Sequence, residues 1–545
     1  MAIQNSPDLK PGSLFFFDAR SCKEWLKTIP LTNVVQAQQK LLDALRMLNG
    51  NTNYTSLERL TSLELMRDKI SFLLAEQRTR YVGKTLPLPN GDIVAWNISN
   101  ALLVEMETGY RRCYLDAQEE GGALRPHAAL IIQRIIRYIG LGMLMAGFIY
   151  RRFEANNWMR LHLQWIEAEA RGLTNVRVKD SIGTNDGYSS VTHAYISVLL
   201  GQLTNIYELG PREVDFADAV LKRFAHKVSL VKPDDVAASA HHLAVDLLAD
   251  AGANFHTMIG EGEHVRVLKV SELSRSLRSR ARKCASGEEP GTMDLPADWN
   301  ATDAFTQLSR LHKKWCEIPS NHIFANIPAE HNAIVTFGIA ETHFFLSGVL
   351  FEQPDVKREL TRQEMGDISM FGRVSESTIR ARHAEFNYGS ETWVVIDESR
   401  EQLRLIRPTN SSRGLAIGRL VGVRIVNATD GVDGSKDYYL GVIHELIEET
   451  PNQFTVTLAM FPGKPEVTAV RSNDNKVRTS TYTQGFRLPP MESVGIPETL
   501  VIPSNLVQRG RSIDIFHPGH HSAQQLSLID FVERGGDFDR VTVAG

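Results

Sequence analysis

Little in this chain announces chemistry. Its four cysteines, Cys22, Cys113, Cys284 and Cys316, stand far apart in 545 residues and form no CxxC pair. That spacing excludes a disulfide framework and a cysteine-built zinc site, and it fits a reducing compartment. No excess of one charge exists either: 60 Lys and Arg face 64 Asp and Glu, a formal −4. A protein held to nucleic acid by overall charge is far more basic, so no nucleic-acid partner is expected. The longest apolar run, Tyr138 to Tyr150, is flanked by Arg134, Arg137, Arg151 and Arg152. It falls short of the roughly 20 residues a membrane span needs and reads as a buried core helix. The opening MAIQNSPDLKPGS lacks the basic-then-apolar pattern of a signal peptide, which predicts a cytoplasmic protein.

Catalytic motifs are equally scarce. Tyr81-Val82-Gly83-Lys84-Thr85 ends like a phosphate-binding loop, but Arg78 occupies the position of the upstream glycine, where a flexible backbone is needed. His444-Glu445 lacks the second histidine of HExxH. His517, His520 and His521 in FHPGHHS have no carboxylate or cysteine at ligand spacing and read as a solvated loop; a distant ligand would be needed to hold a metal. Arg275, Arg278, Arg280, Arg282 and Lys283 crowd SRSLRSRARK; the cluster suits phosphate, but beside Glu288 and Glu289 it reads as a solvated basic helix face. With no nucleophile–base pair and no metal motif, neither catalysis nor a cofactor is expected.

What is present is enough for folding. Hydrophobic residues make up 43% and charged residues 23%, ordinary values that exclude global disorder. The length suggests roughly three to four domains. Up to about residue 230 the apolar spacing is helical. Val34, Leu41, Leu45 and Leu48 share a face, with Thr32 or Asn33 as N-cap and Asn49-Gly50 as the stop. Further helices are expected around Leu57–Leu74, over Ala128–Tyr150, from Trp158 to Gly172, over Val191–Tyr207 and after Gly210-Pro211. Residues 231–384 form a mixed, connecting region, with a strand expected at His264–Val270 and a helix at Ala304–Trp315. From about 385 the period changes to two. TWVVID, EQLRLIR, RLVGVRIV, DYYLGVIHE, FTVTLAM and VTAVR are separated by turn residues such as Thr429-Asp430-Gly431 and Pro451-Asn452. These predict a small β-barrel or sandwich, with TLVIP and SIDIF as further strands of the same domain.

Within that β region, TWVVIDESREQLRLIRP followed by GLAIGRLVGVRIV and YYLGVIHELIEE resembles the PilZ-type β-barrel of bacterial cyclic-di-GMP-binding proteins. WMRLHLQWIEAEARGL and AYISVLLGQLTNIYELGPREV resemble the helical N-terminal part of the same family. The resemblance implies an α+β multidomain protein: a helical N-terminal half (1–230), the mixed region (231–384) and a C-terminal PilZ-like antiparallel β-barrel with an extension (385–545). It implies a regulatory protein with cyclic-di-GMP as ligand and a protein partner. The alternative is a protein-interaction or chaperone-like scaffold whose barrel no longer binds nucleotide. Receptors of this type use an RxxxR arm and an Asp/Asn-x-Ser-x-x-Gly turn. Asp397 and Ser399 match the first two positions of the turn, while Gln402 replaces the glycine and Glu401 adds charge beside it. Arg373, Arg380 and Arg382 precede the first barrel strand as the arm does, although none are four apart; Arg358 and Arg362 are in register but lie further upstream. The resemblance thus implies a ligand set of Arg373, Arg380, Arg382, Asp397 and Ser399.

Overall fold

The computed structural model describes residues 15–544 except 185, 236–242, 256–258, 260–261, 318–326, 355–360, 376–377, 379–387, 400, 412, 427–436, 474–480 and 518–521. The turn expected at Thr429–Gly431 and the pair His520-His521 lie outside the described residues. The chain divides into two compact units, Met1–Lys84 with Leu88–His322, and Thr85–Pro87 with Ile323–Gly545.

The first unit is mainly helical. Its helices are α1 (Ala19–Leu26), α2 (Val34–Gly50), α3 (Ser56–Arg78), α4 (Asn90–Gln118), α5 (Ala128–Gly147), α6 (Asn157–Ala170), α7 (Val191–Leu203), α8 (Pro211–Phe224), α9 (Ser271–Ala285) and α10 (Ala301–Cys316). The starts follow local chemistry. Asn33 accepts from the Gln36 amide to cap α2, and Thr55 and Glu58 form a reciprocal capping box on α3. The longest helix, α4, is one that periodicity did not announce. It packs against α2, α3 and α5, so apolar residues surround it and the single-stripe signal is lost. Arg125–Gly147 is long and apolar enough to cross a membrane, but 67% of its apolar window is buried within this unit. A hairpin β1 (Val178–Lys179) and β2 (Tyr188–Ser189) and a four-stranded antiparallel sheet complete the unit. The sheet order is β3 (Ser229–Val231), β6 (Val265–Lys269), β4 (Leu243–Asp246) and β5 (Asn254–Phe255). The basic run lies on α9, where Arg275, Arg278, Arg282 and Lys283 are exposed and Arg280 folds over the Phe224 ring.

Charge is buried at the centre of this unit. Asp180, fully buried, accepts from Arg67 at 2.6 Å, from Gln133 at 2.8 Å and from the Gly183 amide at 3.2 Å. Arg134 and Arg137 lie 3.6 and 3.8 Å from its carboxylate oxygens. Glu64 receives two bonds from Arg134, at 2.8 and 2.9 Å, and one from Tyr110 at 2.6 Å. Burial pushes the Asp180 carboxyl up, but the three guanidiniums outweigh it and hold the group well below the usual carboxylate range.

The second unit contains two closed barrels, where the sequence suggested one with extra strands. The first has the order β10 (Leu420–Val426), β11 (Tyr439–Thr450), β12 (Gln453–Met460), β9 (Gln402–Ile406), β8 (Glu391–Glu398) and β7 (Ile327–Phe337), closing from β7 to β10. Its strand β7 comes from the stretch read as connecting. The second has the order β13 (Glu466–Ser472), β14 (Thr483–Leu488), β15 (Thr499–Pro503), β18 (Phe538–Ala544), β17 (Gln524–Arg534) and β16 (Ser512–Phe516). Closure leaves neither barrel an open edge. The barrels share a core: Leu420, Leu440, Val442 and Phe461 of the first meet Phe486, Leu488, Val501 and Phe538 of the second. Helix α11 (Gly338–Ser347) packs between them through Ile339. A helix α12 (Arg362–Phe371) follows, starting at a Thr361–Glu364 capping box.

Candidate functional site

Strand β8 has two ends, and two of the residues named from the sequence, Asp397 and Ser399, lie at one of them. Asp397 sits opposite Arg404 just past a bulge. Ser399 closes the β8–β9 hairpin: its amide donates to the Gln402 carbonyl at 2.8 Å, and its hydroxyl accepts from the Gln402 amide at 3.1 Å. The polar turn chemistry is thus engaged in joining two strands. Nearby, His331 on β7 lies 3.5 Å from Glu398. Arg373 is exposed just beyond the Gly372 cap of α12, and Arg362 is exposed at its start. Arg358, Arg380 and Arg382 lie outside the described residues.

The opposite end of β8 carries a concavity. Gly389–Thr392 faces Pro408, Asn410, Ser411 and Arg413 across a volume of about 540 Å³. From Asp397 back to Glu391 is six residues, about 20 Å of strand, so the hairpin and this concavity are separate places. Arg407 is the foundation of the pocket. Its buried guanidinium donates to the Ser411 hydroxyl and the Arg413 carbonyl, and lies 3.6 Å from Glu391. Glu391 also accepts from Ser411 and, at 2.9 Å, from the Trp393 indole. Burial pulls the Arg407 guanidinium below its usual value and Glu391 opposes that. These bonds tie Ser411 and the Arg413 carbonyl to the two strands, and such anchoring lowers the ordering cost of binding.

On the pocket rim the half-buried Arg413 donates to Glu341 of α11 at 2.8 Å. Glu341, itself buried, also accepts from the Gly389 and Phe337 amides. A Cβ at Gly389 would lie 2.9 Å from the Arg413 guanidinium, so a side chain there would push aside the end of that arginine. The loop Thr409-Asn410-Ser411-Ser412-Arg413-Gly414 repeats the x-Ser-x-x-Gly spacing, with threonine where the motif has Asp or Asn. That glycine, followed by apolar Leu415, was the available signal, and a search for an acidic or amide first residue passes over it. Chemically the site offers a planar cation, hydroxyls and a side-chain amide. Among the described residues no three His, Cys, Asp or Glu side chains cluster to hold a metal.

Comparison with known families then decides the kinship. Residues 20–234 match the N-terminal domain of the cyclic-di-GMP receptor FimW, and residues 468–544 match the FimW C-terminal β-barrel domain. The chain belongs to the FimW family. A curated FimW relative, the cyclic-di-GMP receptor FimW of Pseudomonas aeruginosa, is 22% identical over 341 residues, covering 62% of this chain and 55% of the relative. The match thus spans little more than half the length of that relative. The two FimW domain matches fall on the helical unit and the second barrel. The first barrel, with the pocket at Ser411, lies in the interval between them.

Proposed function

We propose that this protein is a cytoplasmic, regulatory cyclic-di-GMP-binding protein without catalytic activity of its own. The first barrel is its PilZ-like module, and the dinucleotide site is the pocket between Gly389–Thr392 and Pro408–Arg413. The observation that carries this is the Arg407–Glu391–Ser411 lattice holding an x-Ser-x-x-Gly loop open beside a planar arginine. Kinship with a protein described as a cyclic-di-GMP receptor supports the choice of ligand. Arg413 is suited to stack on a guanine or grip a phosphate, which a lysine does less well. Asn410 and Ser411 supply short polar contacts. Glu341 and Glu391 neutralise Arg413 and Arg407, so a dinucleotide with two phosphates needs further cations. The segment carrying Arg373, Arg380 and Arg382 leads directly into Gly389, and these arginines are proposed as that arm.

A protein-interaction scaffold is the second reading. It draws on α12, which exposes Met365, Ile368, Met370 and Phe371, a concentration of surface apolar groups suited to a protein partner. Calorimetric titration of the full chain with cyclic-di-GMP, with GTP as control, separates the two. Saturable binding of the dinucleotide alone supports the receptor. Absence of saturable heat at high micromolar ligand leaves the scaffold.

A further inference from the structure

The helical unit holds a second cavity, of about 310 Å³, enclosed by α3, α5, α7 and α8. Its walls are largely hydrocarbon, with Ile70 and Leu74 on α3, Leu141 and Leu144 on α5, Val198 on α7 and Leu221 on α8, and Ser197, Gln202 and Thr204 add polar groups. The cleft runs along α3 from Arg67 to Arg78 and along α5 from Arg137 to Phe148. Each stretch advances eleven residues, about 16 Å of helix. We propose that this cleft binds a single-chain amphipathic anion, with its acidic head on Arg137 and its hydrocarbon chain lying between α3 and α5.

The charge balance selects the head group and its end. At the far end Arg78 is neutralised by Asp215 at 2.5 Å and lies on the Phe148 ring; Lys222 is paired with Asp218 at 2.7 Å. At the near end three guanidiniums, of Arg67, Arg134 and Arg137, share the two carboxylates of Asp180 and Glu64. Arg67 and Arg134 take the short bonds. Arg137 is left with one contact, 3.8 Å from Asp180, and no hydrogen-bond acceptor among the described residues. Arg137 lines the cavity half-buried and only loosely paired, so its planar guanidinium can turn donors to an anionic head. Gly183 lets the Arg137 guanidinium and the Asp180 carboxylate pack against its backbone, since a Cβ there would lie 2.2 Å from the Arg137 Nη1 atom and 2.3 Å from Asp180 Oδ2. A nucleotide would set its base edges and hydroxyls against leucine and valine, whereas a hydrocarbon chain needs no partners there.

The test is calorimetric titration of the full chain with decanoate, decyl phosphate and decanol. Saturable binding of either anion, at least tenfold tighter than decanol, is expected. The stronger anion distinguishes a carboxylate head from a phosphate head. Arg137→Met should weaken the anions at least tenfold while leaving decanol unchanged, and Arg137→Lys should retain much of the binding. Leu74→Trp, which fills the cleft without touching the charged end, should weaken all three; thermal melts establish that each variant is folded. Equal affinity for decanoate and decanol, unchanged anion binding in folded Arg137→Met, or unchanged binding in folded Leu74→Trp would overturn the proposal. Cyclic-di-GMP titrations of the same variants should match the parent, which keeps this site distinct from the barrel pocket.

Discussion

Replacing Asp180 by asparagine tests the electrostatic centre of the helical unit. The substitution preserves shape and one acceptor oxygen but removes the charge that Arg67, Arg134 and Arg137 share. Arg67 and Arg134 are 7% and 1% exposed and would be left with Glu64 as their carboxylate partner. Breaking a buried ion network from one side costs about 3–5 kcal/mol, a large part of a domain's usual stability of about 5–15 kcal/mol. The pH dependence adds a second reading. The folded pKa of Asp180 is depressed, so its contribution is fully present above the unfolded carboxylate value of about 4 and is lost as pH falls below it. The parent should therefore lose stability below about pH 4 through this group, and Asp180→Asn should lack that component. Urea unfolding followed by tryptophan fluorescence is the natural assay. Six of the seven tryptophans, all except Trp393, lie in the helical unit. A loss under about 1 kcal/mol, well short of the expected cost, or an acid dependence identical to the parent's, would refute the reasoning.

Three further outcomes follow from the packing. Phe538, fully buried 5.6 Å from Phe461 in the core the barrels share, should cost about 3–5 kcal/mol when cut to alanine. Limited proteolysis should then open both barrels together, whereas cleavage confined to the second would deny the shared core. His343 on α11 is pulled down to about 4 by burial beside Phe351 and Phe486. Its neutral form stabilises fully above about pH 6.5 and loses about 3 kcal/mol as pH falls from 6.5 to 4; His343→Leu should flatten the melting temperature across that window. Burial raises all four thiols, Cys22 to about 11 and Cys113 and Cys316 to about 12. Iodoacetamide at pH 7 should therefore modify native protein slowly and label four thiols in urea; rapid native labelling would contradict the packing.

Local patterning made the halves of this protein legible. Val34, Leu41, Leu45 and Leu48 gave α2 with its cap and stop, and the alternation of Phe454, Val456 and Leu458 gave β12. What escaped was non-local. The first barrel closes by pairing β7 with β10, whose partners Phe337 and Val421 are 84 residues apart, and no turn signal marks such a pairing. The second barrel read as an extension because TLVIP and SIDIF carry no sign of which sheet they join. The ligand motif illustrates the same limit. Asp397-x-Ser399 matches by residue type, yet its hydroxyl works within a hairpin. The loop ending at Gly414 matches by spacing, and its meaning depends on Arg407 and Glu391, which come from different strands.

The central claim is that the first barrel binds cyclic-di-GMP at the Ser411–Arg413 loop. It is tested most directly by titrating the parent chain, Arg413→Ala and Asp397→Asn with cyclic-di-GMP in one calorimetric series. Removing one partner of a desolvated charged contact costs about 2–5 kcal/mol. Arg413→Ala should therefore weaken binding at least tenfold, while Asp397→Asn, at the far end of β8, should bind as the parent does. The contrary pattern, with Arg413→Ala unchanged and Asp397→Asn inactive, would move the site to the hairpin and contradict the account.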